Sequence, residues 1–394
     1  VTRAVLSVWR PTPADPDALF EPDDLERARR YQRPLRRLRA ARLLGGVVVT
    51  AGLVVAEVGP RLVDGLGIDG WVAQLLVVFL VLELARLVVD LPLDAWVDLR
   101  HDRRWGLSTQ TGRGLAADEA KSTLLSLVLG AALLVPVYAL LRSTTWWWLW
   151  AWVLLMAFAL VAGVLFPVVI SPLFNRFEPL GDGELLDRVR RVAERAGVAV
   201  GRVEVADESR RSRRDNAYVA GLGPTRRVVL YDTLLETPPE LVEQVVAHEL
   251  GHVRRHHLRR QLPVLAAVSF VVLALLGALS RWGGLFEAFG LDGAGDPAGL
   301  PLALLAVEAA GAVVGPVTAW VSRAFEREAD LEALELLGRP DLVEAMLRRL
   351  HVNNLTDLDP GRLARLGAGH PPAAERIAFA RAWGTATRPS LPPG

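Results

Sequence analysis

Long apolar runs alternate along this chain with short connections rich in arginine. Six segments, approximately 41–59, 71–93, 122–141, 146–170, 262–280 and 300–321, are apolar over close to the length of a membrane span. A helix needs about 20 residues to cross about 30 Å of hydrocarbon, so each segment predicts one span. Between the fourth and fifth the pattern changes. Residues 183–197 have the period of an amphipathic helix, while 202–206, 216–220 and 227–231 are short runs rich in β-branched residues. A charged break at 210–214 separates two of these strands. Leu241, Val245 and Leu250, with Val242, Val246 and Val253, then form the apolar stripe of a buried helix over 241–257. Before it, Thr237-Pro238-Pro239-Glu240 predicts a capping box with prolines at the first helical positions. Past the sixth span the helical pattern breaks at 338–340 and 353–361, and a last helix follows His370-Pro371-Pro372.

The expected fold is therefore mostly α, a polytopic membrane bundle of about six spans with a small α/β unit between the fourth and fifth. Its divisions are an N-terminal segment (1–40), spans one to four (41–170), the α/β segment (171–261), spans five and six (262–321), a C-terminal helical segment (322–384) and a Pro-rich tail (385–394) that reads as disordered. Loop arginines orient it. Residues 27–39 hold seven arginines and 94–121 hold Arg100, Arg103, Arg104, Arg113 and Lys121, whereas 60–70 and 142–145 carry only Arg61 and Arg142. Positive loops stay cytoplasmic, which places 1–40, 171–261 and 322–384 on that side. Residues 1–40 contain no apolar core of a signal peptide, so the first span is expected to act as its own membrane signal. Trp146, Trp147, Trp148, Trp150 and Trp152 at the start of the fourth span suit an interfacial belt. Glu57, Glu83, Arg86, Asp90 and Glu308 lie in or near spans, where they either line a polar chamber or pair locally.

Composition narrows the chemistry. With 52% hydrophobic residues and a mean hydropathy of +0.28, membrane insertion is expected. A net charge of +1 argues against nucleic acid as a partner, and the absence of cysteine excludes disulfides, thiolate metal sites and cysteine nucleophiles. One lysine against many arginines, in an Ala-, Leu-, Val- and Gly-rich chain, suggests a GC-rich bacterial genome and hence a bacterial cell membrane.

Inside the buried helix stands His248-Glu249-Leu250-Gly251-His252, the pattern H-E-x-x-H. Imidazoles four residues apart share a helix face and can converge on one ion, with Glu249 near enough to act on water there. Catalytic zinc takes three protein ligands, and Glu326, just past the sixth span, is the candidate third. Asp330, one turn on, would orient a ligand imidazole, whereas Glu328 points elsewhere. Glu249 is the candidate general base, and His370 or Arg376 the candidate donor to an oxyanion. His256 and His257 follow the motif too closely to share its face and read as interfacial polar residues; His101 and His351 carry no signal.

These residues resemble the type I CAAX prenyl protease family of membrane zinc metallopeptidases. Further ordered matches are Pro172-Leu173-Phe174-Asn175-Arg176-Phe177, Asn216-Ala217-Tyr218, Val229-Leu230-Tyr231-Asp232-Thr233-Leu234-Leu235, His370-Pro371-Pro372 with Glu375-Arg376, and Trp105-Gly106-Leu107-Ser108 with Gln110-Thr111. The resemblance implies one Zn2+ per chain on His248, His252 and Glu326, Glu249 as base, Asp330 behind the ligands, and His370 and Arg376 near the transition state. It also implies that Asn216, with Ala217 on an edge strand, holds the substrate backbone, and that the helices enclose a chamber. Eukaryotic members have seven spans; six are counted here. Expected partners are the bilayer and peptide or protein substrates, prenylated or membrane-associated. The alternatives are a heat-shock-type protease that clears damaged membrane proteins and a transporter with a structural metal.

Overall fold

The computed structural model describes residues 11–221 and 223–387. Six of the helices it describes are long and apolar enough to cross a membrane: Pro22–Val55, Trp71–Arg104, Gly112–Ser143, Trp147–Phe174, His257–Leu279 and Pro297–Leu337. Their regular α-helical stretches are named α1 (Pro22–Val55), α2 (Trp71–Trp96), α3 (Gly112–Ser143) and α4 (Trp147–Leu165). All six helices are longer than the apolar runs that announced them, because polar turns extend them at one end or both, although the first stops at Val55, short of residue 59. After α4 a wide turn at Phe166–Ile170 and a short helix at Ser171–Phe174 contain Pro167 and Pro172, each of which removes a backbone donor and loosens the helix.

The α/β unit comprises β1 (Phe177–Pro179), α5 (Glu184–Ala196), β2 (Arg202–Ala206), β3 (Ala217–Ala220), β4 (Arg227–Tyr231) and α6 (Pro239–Arg254). Strand order is β1-β2-β4-β3, with β2 parallel to β4 and the outer strands antiparallel to their neighbours. Thus β3 is an edge strand. On one face of α5, Leu186, Val189, Val192, Ala193 and Ala196 recur at helical spacing and pack with Val203, Val228 and Leu230 of the sheet and Val242, Val246 and Leu250 of α6. Each of the larger side chains stabilises the fold by about 1.5–3 kcal/mol when fully buried. Beyond α6 the chain continues through α7 (His257–Leu279), α8 (Leu300–Leu337), α9 (Pro340–Asn353) and α10 (Ala373–Thr387).

Several sequence expectations need correction. No capping box forms: Pro238 is the N-cap of α6 and no side chain caps that end. The Thr237 hydroxyl instead accepts from Arg349 Nε at 3.1 Å. A division at residue 40 falls inside α1, whose start belongs to a second core in which Leu19, Phe20, Leu25 and Ala28 pack on Val343, Leu347, Leu358 and Ile377. Of the tail, residues 385–387 close α10, so they are helical rather than disordered; the expectation for 388–394 lies outside the described residues. The tryptophans also divide. Trp146 and Trp150 are exposed, as an interfacial belt requires, whereas Trp147 Nε1 donates to Ser280 Oγ at 3.1 Å and Trp152 Nε1 to Ala266 O at 2.9 Å.

Three charged groups of the second span, Glu83, Arg86 and Asp90, are paired. Arg86 bridges Glu83 and Asp90 at 3.3 Å each, as the local reading anticipated, but Arg42 of α1 also reaches Asp90 at 2.8 Å and Asp94 at 2.6 Å. The result is a ladder joining α1 to α2, which lowers the cost of charge near hydrocarbon. Glu57 sits in a left-handed turn (φ 49°) after α1 rather than within a span.

Candidate active site

Helix α6 packs between α5 and the last three turns of α8, where Ala324 to Leu334 are all buried. Contact between α6 and α8 is close because position 251 is glycine: a Cβ there would lie 3.0 Å from Glu332 Cβ, 3.1 Å from Ala329 O and 3.2 Å from Ala329 Cα. That approach brings the two parts of the motif together. His248 Nε2 is 3.3 Å from Glu326 Oε2, His252 Nε2 is 3.5 Å from Glu326 Oε1, and the two Nε2 atoms are 3.3 Å apart. Zinc bonds of about 2.0–2.1 Å at tetrahedral angles separate neighbouring ligand atoms by about 3.3 Å. Two nitrogens, each facing one oxygen of the Glu326 carboxylate, fit the ion, and Glu326 Oε2, a buried atom without an aligned hydrogen-bond donor, fits it too.

Behind the cluster, His248 Nδ1 lies 2.9 Å from Asp330 Oδ1. Asp330 is 1% exposed, and its oxygens also accept from Arg376 Nε at 2.8 Å and Nη2 at 2.6 Å. Arg376 therefore stands behind His248, gripping Asp330 two-pronged, and is not aimed at reacting atoms through those nitrogens. His370, largely exposed, directs Nδ1 at Glu326 Oε2, 2.7 Å away. The same ring lines a polar cavity of about 890 Å³ with Asn216, Tyr231, His351, Arg211 and Arg376. Asn216 precedes β3 and bonds within its own backbone, Oδ1 accepting from Ala217 N at 2.9 Å, while Ala217 pairs with Leu230.

Protonation follows the surroundings. Burial opposes charge on His248, but the adjacent carboxylates of Asp330 and Glu326 prevail and push it up to about 10. Two carboxylates about one imidazole call for a positive charge, which a proton or a divalent ion can supply. His252, by contrast, is held down at about 3 by burial and by the adjacent His248, leaving a neutral ring with a free lone pair. Burial also pushes the Glu249 carboxyl above its ordinary range.

Three features escaped the sequence. His257 is no interfacial residue: it is 4% exposed, with Nδ1 2.9 Å from His252 Nδ1. A continuous helix would carry it away from His252, but α6 ends at Arg254 and His256 turns the chain through a left-handed conformation (φ 55°), strain of about 1–3 kcal/mol that returns His257 to the site. His351 lies on the cavity wall, its Nδ1 2.7 Å from Thr356 Oγ1 and its buried Nε2 without a partner. Finally, the charged break at 210–214 is docked on the loop after the second span, with Arg213 N donating to Leu107 O and Thr109 N to Arg211 O, both at 3.0 Å. Arg214 there binds Asp102 at 2.7 Å and the Tyr31 hydroxyl at 2.6 Å, joining α1, the second span and the approach to β3. A paired Asp and Tyr so far apart in sequence leave no local signal.

Comparison with known proteins agrees with this geometry. A model of Peptidase family M48 matches residues 179–384, and a model described as the CAAX prenyl protease N-terminal region, five membrane helices, matches residues 3–176. A Bacillus subtilis protein named Uncharacterized metalloprotease YhfN is 32% identical over 76% of this chain and 71% of its own length. An Arabidopsis thaliana CAAX prenyl protease 1 homolog is 31% identical over 74% of this chain and 69% of its own. The fold matches the crystal structure of S. mikatae Ste24p with a TM-score of 0.83, at 23% identity, over 96% of this chain and 94% of that one. With both halves matched in order and the candidate ligand residues gathered at one point, the chain belongs to peptidase family M48 and carries the membrane helices of the CAAX prenyl proteases.

Proposed function

We propose that this membrane metallopeptidase holds one zinc ion on His248, His252 and Glu326 and cuts extended peptide segments delivered along the edge of β3. The observation that carries the reading is the convergence of two imidazole Nε2 atoms 3.3 Å apart on the Glu326 carboxylate, His248 at 3.3 Å from Oε2 and His252 at 3.5 Å from Oε1. A bound zinc supplies Lewis acidity that brings the pKa of water towards about 7. Glu249 is the residue placed to take a proton from the attacking water and to pass it to the departing amine. Burial raises its pKa, which makes the carboxylate a stronger proton acceptor. Asp330, held by Arg376, accepts from His248 Nδ1 and so leaves Nε2 as the ligating atom. With Nδ1 towards Glu326, His370 has its other nitrogen for a substrate oxygen. Asn216 and Ala217 lie where an extended substrate would add to the sheet, which gives main-chain affinity with little sequence demand.

The arginine bias supports a cytoplasmic site, and prenylated or membrane-associated polypeptides are the proposed substrate class. Purified wild-type chain and Glu249→Gln should both carry about one zinc, and only wild type should cleave a farnesylated CAAX peptide or an unfolded membrane protein. Equal cleavage by the variant would remove Glu249 from the mechanism, and a chain unable to take up zinc would remove the metal. Cleavage of the unfolded protein alone would assign the chain to membrane quality control.

A further inference from the structure

We propose that Glu328 and His257 form a relay that holds His252 in the tautomer and orientation required of a metal ligand, with Arg260 anchoring the charged end. The proposal rests on the zinc reading above and concerns how its second imidazole is supported. The two ligand histidines are backed differently. His248 has a carboxylate directly against its rear nitrogen, Asp330 at 2.9 Å. At the corresponding position His252 meets another imidazole, His257 Nδ1 at 2.9 Å.

A contact between two imidazole nitrogens is a hydrogen bond only if one carries a proton and the other does not. If His252 offers the Nε2 lone pair to a metal, its proton is on Nδ1, and His257 Nδ1 must accept it. The neutral His257 ring then carries its own proton on Nε2. That nitrogen lies 3.1 Å from Glu328 Oε2. Each assignment thus forces the next, and the chain ends on a carboxylate able to accept. Arg260 grips Glu328 on both oxygens, at 2.9 Å on Oε1 and at closer range on Oε2.

The ring of His257 is fixed in position by packing as well. It stacks on Phe325 with centroids 4.6 Å apart and planes 7° from parallel, and Arg260 lies over the same Phe325 ring at 4.8 Å. Phe325 adjoins Glu326 in sequence, so one turn of α8 supplies both the third ligand and the platform for the relay. The left-handed His256 is the local strain that brings His257 to this place. A packing role alone would need the aromatic ring on Phe325 but neither nitrogen, and this difference makes the proposal testable.

The test uses the full chain in detergent, with zinc affinity measured by chelator competition and the visible absorption of the cobalt(II)-loaded chain recorded in parallel. His257→Phe keeps the stack and removes both nitrogens. Loss of such outer support typically weakens metal binding about 10- to 100-fold, and that is the expected result, with a changed cobalt spectrum. His257→Asn, which keeps an acceptor near the Nδ1 position, should recover part of the loss. Glu328→Gln keeps an acceptor but not the charge and should lose less than His257→Phe. Zinc affinity within twofold of wild type in His257→Phe, with an unaltered cobalt spectrum, overturns the relay. Should that variant not fold, unchanged affinity in both His257→Asn and Glu328→Gln overturns it equally. Failure of wild type to take up either metal is a different result and refutes the zinc reading itself.

Discussion

The buried pair behind His248 permits a separation of stability from metal binding. Asp330 is 1% and Arg376 7% exposed, and their two hydrogen bonds are 2.6 and 2.8 Å long. Replacing Asp330 with Leu strips a buried guanidinium of its hydrogen-bonded counter-charge, leaving only the more distant Glu326 and Glu249, and breaking such a pair from one side costs about 3–5 kcal/mol. At about 1.4 kcal/mol per decade this lowers the folded-to-unfolded ratio by roughly two to three and a half powers of ten. Arg376→Met alone strands Asp330, although His248 Nδ1 still donates to it, so the loss should be smaller. Combining Asp330→Leu with Arg376→Met removes both charges and fills the space with apolar atoms, which is close to neutral or stabilising for buried pairs. The apparent Tm of the detergent-solubilised chain should therefore rank wild type near the double variant, then Arg376→Met, then Asp330→Leu. Zinc affinity should follow a different order. In the double variant His248 Nδ1 has lost its acceptor, and affinity should remain about 10- to 100-fold weaker despite restored stability. A double variant with wild-type zinc affinity would show that Asp330 does not orient His248, and an unchanged Tm in Asp330→Leu would show that the pair does not hold the two helices together.

Three further outcomes follow from the same packing. Gly251→Ala places a methyl 3.0–3.2 Å from Glu332 Cβ and the Ala329 backbone, forcing α6 from α8; a stability loss of about 1–3 kcal/mol, read by denaturation, should accompany weaker zinc uptake. Because Glu249 must be ionised to accept a proton and burial raises its pKa, kcat/KM should fall with acid along a limb lying above 4.5, and a limb at or below 4.5 contradicts that burial. Arg214→Ala should lower stability by about 1.5–3 kcal/mol by stripping a charged partner from buried Asp102, and Arg213→Ala, with no such partner among the described residues, should change Tm little.

The juxtaposition at the candidate site was legible in the chain because the candidate ligands recur at helical intervals. His248 and His252 are four apart on one helix, as are Glu326 and Asp330 on another, and the hydropathy pattern puts the two helices at one membrane face. Spacing along a helix is a local property, so it survives without knowledge of the fold. The same holds for the six apolar runs and for the strand at 216–220, found at Ala217–Ala220. Where the chain leaves regular geometry, that arithmetic fails. His257 was misplaced because one left-handed residue, His256, resets the helical phase, and nothing about a histidine at that position announces it. Thr237 was misassigned because its hydroxyl had a distant partner, Arg349, that outcompetes the local cap.

Local periodicity thus determined which helices exist, which faces they bury and which side chains share a face. The tertiary structure decided the pairings across sequence: Arg376 with Asp330, Arg214 with Asp102, His257 with Glu328, and the N-terminal Leu19 and Phe20 with the last helices. Those contacts depend on how closely helices approach and on which buried charges meet, and both are set by packing in three dimensions, which no interval along the chain encodes.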